Sequence, residues 1–276
     1  MKTILVPTDY SACADNALQY AIELAKSDKT KIELLHVYHI PIPTTEVPMV
    51  MISPQELEKE NTERIKKLEE KVFKQDSEKI ISFHANVRAG MAVDQILDFA
   101  KEKKIDMIVM GMHGAGKLRE TLIGSNTTSV MKKATCPVIV FPEKAKFKQI
   151  KKIVYACDYE KINNHFVLEP LWKLAHDCGA EIMIFNVKDS RVHPPSSKEM
   201  IEGIRLEHWL GRVKHSYWFA ESSDIVEAIN DFVKKNQAVM IAMLGHKYPF
   251  PGNLIHKSTT KNIAFHTDTP ILSLHE

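Results

Sequence analysis

The chain repeats itself, and that repeat limits its possible folds more than any other feature. Lys2-Thr3-Ile4-Leu5-Val6-Pro7-Thr8-Asp9-Tyr10 returns as Lys151-Lys152-Ile153-Val154-Tyr155-Ala156-Cys157-Asp158-Tyr159, each an apolar run closed by Asp-Tyr. Ile32-Glu33-Leu34-Leu35-His36-Val37 returns over residues 181–187, and the run 106–111 returns over 238–245. Each copy closes on a proline-led strand, Pro137–Phe141 and Pro270–Leu274. Four correspondences in one order identify a tandem duplication. They divide the chain into residues 1–144 and 150–276, with the Lys-rich stretch Glu143–Ile150 as a short linker. A length of 276 residues fits two domains of roughly 100–200 residues each.

Within a copy, apolar runs alternate with amphipathic segments, the pattern of βαβ units on a mainly parallel sheet. In the first copy Ser11 is placed to cap a helix with the stripe Ala14, Ala17, Leu18, Ala21, Ile22 and Ala25. A strand over 31–37 leads into a loop broken by Pro41, Pro43 and Pro48, then a charged helix over about 54–76. That helix falls short of the heptad count of a coiled coil and is read as having a solvated face. Strand 80–87, helix 92–103, strand 105–110, helix 125–134 and strand 137–141 complete five strands and four helices. The second copy follows the same order but is shorter between its second and third strands, where a helix near 197–211 carries Ile201, Ile204, Leu206 and Trp209.

Composition removes several function classes. Lys and Arg number 37 against 35 Asp and Glu, so no whole-surface attraction draws the chain to nucleic acid or an anionic membrane. No apolar run reaches the roughly 18 residues of a membrane span, and Asp9 breaks the N-terminal run too early for a secretory signal. The four cysteines, Cys13, Cys136, Cys157 and Cys178, form no C-x-x-C and indicate neither a zinc site nor a disulfide framework. A cytoplasmic location is expected. None of the 13 histidines forms a helical metal-ligand pair.

The densest chemical signal is the segment from Gly111 to Thr128, which follows the fourth strand and runs into a helix. Gly111-x4-Gly116-Lys117 opens like a P-loop, but Leu118 stands where magnesium needs Ser or Thr, and the helix signals begin only at Ser125. Gly111-x2-Gly114-x9-Gly124-Ser125 is the better unit. Its glycines admit close backbone approach, and Gly124-Ser125-Asn126-Thr127 opens a helix with amides and hydroxyls directed at an anion. Asp9 ends the first strand and Gly111 the fourth, on the sheet edge where open α/β folds bind ligands. Lys117, Arg119, Lys132 and Lys133 flank the loop and add positive charge. His113 lacks a nearby nucleophile signature and is read as a binding or structural residue.

These features resemble the universal stress protein family in its tandem two-domain form. ATP-binding members carry G-x2-G-x9-G-[S/T], matched here by Gly111, Gly114, Gly124 and Ser125. The family's strand-one aspartate corresponds to Asp9, after Pro7-Thr8, and its backbone contact to adenine corresponds to Val37. The resemblance implies two flavodoxin-like, Rossmann-like α/β domains, each an open five-stranded sheet of order 3-2-1-4-5, paired through their fifth strands. It implies an ATP- or AMP-binding stress-response protein with little or no turnover, acting with a protein partner. The implied nucleotide site comprises Pro7, Thr8, Asp9, Val37, Met110, Gly111, His113, Gly114, Gly124, Ser125, Asn126 and Thr127, with no catalytic residue. Mg2+ is expected only with the nucleotide, since the loop offers hydroxyls but no carboxylate cluster.

The second copy departs from that pattern. Asp158 and Gly245 remain, but His246-Lys247-Tyr248 replaces the second glycine step, Pro249 and Pro251 remove amide donors, and Lys257-Ser258 aligns with Gly124-Ser125. One competent site per chain is therefore expected. A nucleotide-independent scaffold, in which the loop serves only folding, is the alternative. The apolar fifth strands are expected to cover one another within the chain, with further dimerisation open.

Overall fold

The computed structural model describes residues 3–28, 30–40, 53–75, 82–114, 124–159, 165–188, 197–211, 213–245 and 267–275. The first copy gives β1 (Thr3–Thr8), α1 (Ala12–Asp28), β2 (Lys31–Tyr38), α2 (Pro54–Gln75), β3 (Phe83–Ala89), α3 (Ala92–Glu102), β4 (Met107–Gly111), α4 (Ser125–Lys133) and β5 (Val138–Phe141). The second gives β6 (Lys152–Ala156), a 3-10 turn (His165–Leu168), α5 (Glu169–Cys178), β7 (Glu181–Lys188), α6 (Ser197–Leu210), β8 (His215–Glu221), α7 (Ile225–Asn236), β9 (Met240–Gly245) and β10 (Ile271–His275).

Among the described residues these strands form one ten-stranded sheet, ordered β3-β2-β1-β4-β5-β10-β9-β6-β7-β8. Each half therefore runs 3-2-1-4-5 in its own numbering, as expected. Pairing is parallel within each half. At the junction β5 and β10 run antiparallel, Ile139 opposite Leu272 and Val140 opposite Ile271. That join is where the apolar edges of two equivalent strands meet. It removes what would otherwise be an exposed sheet edge in the middle of the molecule.

Alternation along the strands builds a core on each face of the sheet. One layer takes Ile4, Val6, Leu34, Val109, Ile139, Leu272, Tyr155 and Ile184 with α1, α2, α5 and α6. The other takes Leu5, Leu35, Ile108, Val140, Ile271, Val154 and Phe185 with α3, α4 and α7. Both layers cross the β5–β10 junction without a break. The α1 stripe is buried at all six positions read from the sequence, and Ser11 Oγ accepts the Ala14 N–H at 3.2 Å, capping the helix.

Two expectations need correction. The third strand begins at Phe83 and runs to Ala89, because Ile32 N–H bonds the Ser82 carbonyl and sets Ile32 opposite Phe83. Residues 80 and 81 lie outside the described residues. The stretch 143–150 is no loose linker: Ala145 and Ile150 are buried, and the Asn16 amide donates to the carbonyls of Glu143 and Ala145. In α6, Ile201 and Ile204 are 50% and 70% exposed, while Glu202, Leu206 and Leu210 face inward. No helix among the described residues is long and apolar enough to cross a membrane.

Candidate functional site

β1 lies between β2 and β4, so the direction of winding reverses between β1 and β4, and a crevice opens at their carboxyl ends. Asp9 follows β1 and Gly111 ends β4 on that rim. Three contacts draw α4 against it. The Gly124 N–H donates to the Met112 carbonyl at 2.8 Å, the Met112 N–H to the Phe141 carbonyl at 2.9 Å, and the Thr127 hydroxyl to the Gly111 carbonyl at 2.9 Å. The amino end of α4 is thereby fixed beside the ends of β1 and β4.

The glycines are required by approach distances. A Cβ on Gly111 would stand 2.9 Å from the Cys13 carbonyl carbon and 3.0 Å from its oxygen, which is backbone that cannot yield. A Cβ on Gly114 would stand 2.5 Å from Asp9 Oδ2, so loop and carboxylate are in direct apposition. Gly124 differs: its Cβ would meet nothing nearer than the Met112 oxygen at 3.5 Å, and its φ of −63° suits any residue. The fold does not require glycine at 124. What glycine leaves there is open backbone at the helix entrance.

Gly124 caps α4 without a side-chain bond, so Ser125, Asn126 and Thr127 present N–H groups that the helix itself does not pair. Ser125 and Asn126 are exposed. Thr127 corrects the sequence reading: its hydroxyl, expected to face an anion, is buried and spent on Gly111. Asp9 is exposed and oriented by the Ser11 N–H, which donates to Oδ1 at 3.0 Å. Pro7, Thr8 and Met110 are buried strand residues beneath the crevice, Val37 is half-buried late in β2, and His113 is half-buried between Met112 and Gly114. The predicted residues thus converge on one rim, except that Thr127 acts from below it. Residues 115–123, with Lys117 and Arg119, lie outside the described residues, and Lys132 and Lys133 sit at the far end of α4. Two recesses of about 280 and 230 Å³, one between α1 and α2 and one against α5, contain neither Asp9 nor the glycines.

Sequence reasoning missed the support under Asp9. Tyr10 is left-handed, with φ 63°, an unusual conformation for a bulky residue that costs about 1–2 kcal/mol. Its N–H turns back to Thr8 Oγ1 at 3.1 Å, and its ring packs 4.5 Å from the His36 ring with the Arg64 guanidinium 3.9 Å above it. Burial pushes the Tyr10 phenol up to about 12, against the opposing pull of Arg64. His36 in turn joins the Thr8 carbonyl at 2.8 Å to Asn61 of α2 at 3.1 Å. The second copy rebuilds this turn in other chemistry. Tyr159 is also left-handed, at φ 55°, its N–H meets Cys157 Sγ at 3.4 Å, and Asn186 replaces His36 by donating to the Cys157 carbonyl at 2.8 Å. The signal was the Asp-Tyr pair present in both copies. The glycine-poor loop of the second copy, including Lys257 and Ser258, lies outside the described residues.

The sequence profile of the universal stress protein family matches residues 1–142, half of the chain. The chain belongs to the universal stress protein family. Universal stress protein MJ0531 of Methanocaldococcus jannaschii is 34% identical over 143 residues, covering 50% of this chain and 81% of that one. Universal stress protein YxiE of Bacillus subtilis is 30% identical over 145 residues, covering 50% and 96%. These relatives are thus about half as long as this chain, consistent with a tandem form. The crystal structure of a universal stress protein from Archaeoglobus fulgidus covers 98% of this chain and 97% of its own, with a TM-score of 0.74 at 17% identity, and shares the fold across both halves.

Proposed function

We propose that residues 1–144 form a domain binding one adenine nucleotide, ATP or AMP, and that residues 150–276 form a degenerate partner domain. Asp9 accepts hydrogen bonds from the ribose or base, and the Val37 backbone meets adenine. The amides of Gly111, His113, Gly114, Ser125 and Asn126 take the phosphates, favoured by the positive end of the α4 dipole. Mg2+ arrives with the phosphates, with the Ser125 hydroxyl as the protein's own ligand; Thr127 is committed elsewhere. The observation that carries this reading is the apposition of Gly114 to Asp9, which leaves no room for any side chain between a carboxylate and the glycine loop. Gly111, Gly124 and Ser125 at the family's spacing support it. Among the described residues no activated nucleophile or water-activating group converges on the rim. The role proposed is regulatory: occupancy governs how the protein meets a partner.

Mass spectrometry of small molecules released from the purified full-length protein tests this against a nucleotide-free scaffold. Adenine nucleotide in near-equimolar amount is the expected result. Protein that carries none and takes up none on incubation with ATP would leave the scaffold reading standing.

A further inference from the structure

β8 is one end of the ten-stranded sheet, and among the described residues β7 is its sole strand partner. The ladder to β7 fixes which main-chain groups remain. Ile182 N–H bonds the Lys214 carbonyl at 2.9 Å, and Ile182 and Ile184 stand opposite His215 and Tyr217. Alternate residues of a parallel strand bond to the same neighbour, so Ser216, Trp218 and Ala220 turn toward β7. His215, Tyr217, Phe219 and Glu221 turn their N–H and C=O groups outward.

Natural sheet edges are blunted with charge or proline. β3, at the opposite end, follows that rule with His84, Asn86 and an Arg88 that pairs with Glu102. β8 instead offers Tyr217-Trp218-Phe219, with Trp218 43% and Phe219 67% exposed. Tyr217 and Phe219 lie on the α6 face, since the Tyr217 hydroxyl donates to Glu207 at 2.7 Å and Phe219 stacks on Tyr159 at 6.2 Å. The exposed Ile201 and Ile204 extend the apolar surface on that helix. Trp218 lies on the other face, 5.5 Å from the Phe232 ring of α7.

We infer that β8 is a dimerisation strand, pairing antiparallel with β8 of a second copy about a two-fold axis through Trp218. Self-complementarity selects the occupant and the register. Centring on Trp218 sets Tyr217 opposite Phe219 and His215 opposite Glu221, all four with outward backbone groups and therefore forming hydrogen-bonded pairs. A slip by one residue would set an outward-facing residue against an inward-facing one and mix the two faces. Centring on Tyr217 would set His215 opposite Phe219, and centring on Phe219 would set Tyr217 opposite Glu221, so neither brings His215 against Glu221. The chosen register also matches charge. Both His215 ring nitrogens face acceptors, the Val213 carbonyl at 2.7 Å and Glu207 at 2.9 Å, an arrangement that calls for the doubly protonated ring opposite Glu221. This dimer adds a surface to the fifth-strand pairing inside each chain and does not depend on nucleotide.

Sedimentation of the full-length protein over a micromolar concentration series is expected to show a reversible dimer. Trp218→Lys, which opposes two ammonium groups at the axis, should give a monomer with its native circular dichroism intact. Trp218→Cys should cross-link to a covalent dimer under mild oxidation, because non-hydrogen-bonded antiparallel pairs hold their Cα atoms within disulfide range. Wild type oxidised in parallel controls for the native cysteines. A wild type that stays monomeric overturns the inference, and so does a dimer that persists in Trp218→Lys. Failure of folded Trp218→Cys to cross-link overturns it as well, whatever the lysine variant does.

Discussion

Gly111 and Gly114 lie three residues apart in one motif, yet the structure separates what they do, and alanine at each position should expose the difference. At Gly111 the new Cβ meets the Cys13 backbone at 2.9–3.0 Å with Cys13 Sγ also at 3.0 Å, and α1 or β4 must shift. Overpacking of that kind costs about 1–3 kcal/mol. At about 2–4 °C per kcal/mol for domains of 150–250 residues, Gly111→Ala should lower Tm by several degrees. At Gly114 the new Cβ meets only the end of the Asp9 side chain, which can rotate away. The strain is then taken up by the Asp9 side chain and not by backbone, and the carboxylate that the Ser11 N–H holds leaves the ligand. A hydrogen bond to a charged group contributes about 1.5–3 kcal/mol, so ATP affinity should fall about 10- to 150-fold. Differential scanning fluorimetry and titration calorimetry on both variants measure the two effects separately. A Gly111→Ala that melts like wild type, or a Gly114→Ala that binds ATP with unchanged affinity, would refute this division of roles.

Thr127→Val keeps the shape of the side chain but strands the Gly111 carbonyl, so it should cost about 1–3 kcal/mol in denaturant melts while Thr127→Ser stays near wild type. Leu272→Ala, at the fully buried β5–β10 junction, should cost about 2–5 kcal/mol, and one cooperative transition should be seen both by circular dichroism and by the tryptophans, all of which lie after residue 150. Two separate transitions would show that the halves do not share a core. Burial works against a charged His215, but the Val213 carbonyl and Glu207 prevail and raise its pKa above the ordinary 6.5. A raised folded-state value means its stabilisation is complete below about 6.5 and fades as pH climbs through the folded pKa. The stability gap between wild type and His215→Gln should therefore narrow from pH 6 toward alkaline pH.

What the sequence made legible follows from periodicity. The succession of strands along the chain, the α1 stripe and the equivalence of the two fifth strands rest on repeated apolar runs, and repetition doubles each signal; the order of strands within the sheet is what the family resemblance implies. The glycine spacing placed the rim because glycine is required wherever backbone approaches backbone, as at Gly111 and Cys13. Pattern could not reveal where a polar side chain spends its bonds. Thr127 reads as a ligand-facing hydroxyl, yet it donates to Gly111 because the first turn of α4 rests on the end of β4. Apolar content placed a helix near 197–211 but not its buried face: α6 inserts Leu206 and Leu210 and leaves Ile201 and Ile204 outward. Helical spacing cannot separate a core face from an interaction face when both are apolar. The Tyr10–His36–Asn61 support joins three elements far apart in sequence, and no local motif encodes such a contact.

Calorimetric titration of the intact chain with ATP in magnesium buffer, for wild type and Gly124→Lys, tests the central claim most directly. The lysine copies the residue that aligns at this place in the second half, and position 124 accepts a side chain without clash. One nucleotide per wild-type chain and none for a folded Gly124→Lys is the predicted result. Two equal sites in the wild type, or undiminished affinity in the lysine variant, would contradict a single nucleotide site on the Asp9–Gly114–Gly124 rim.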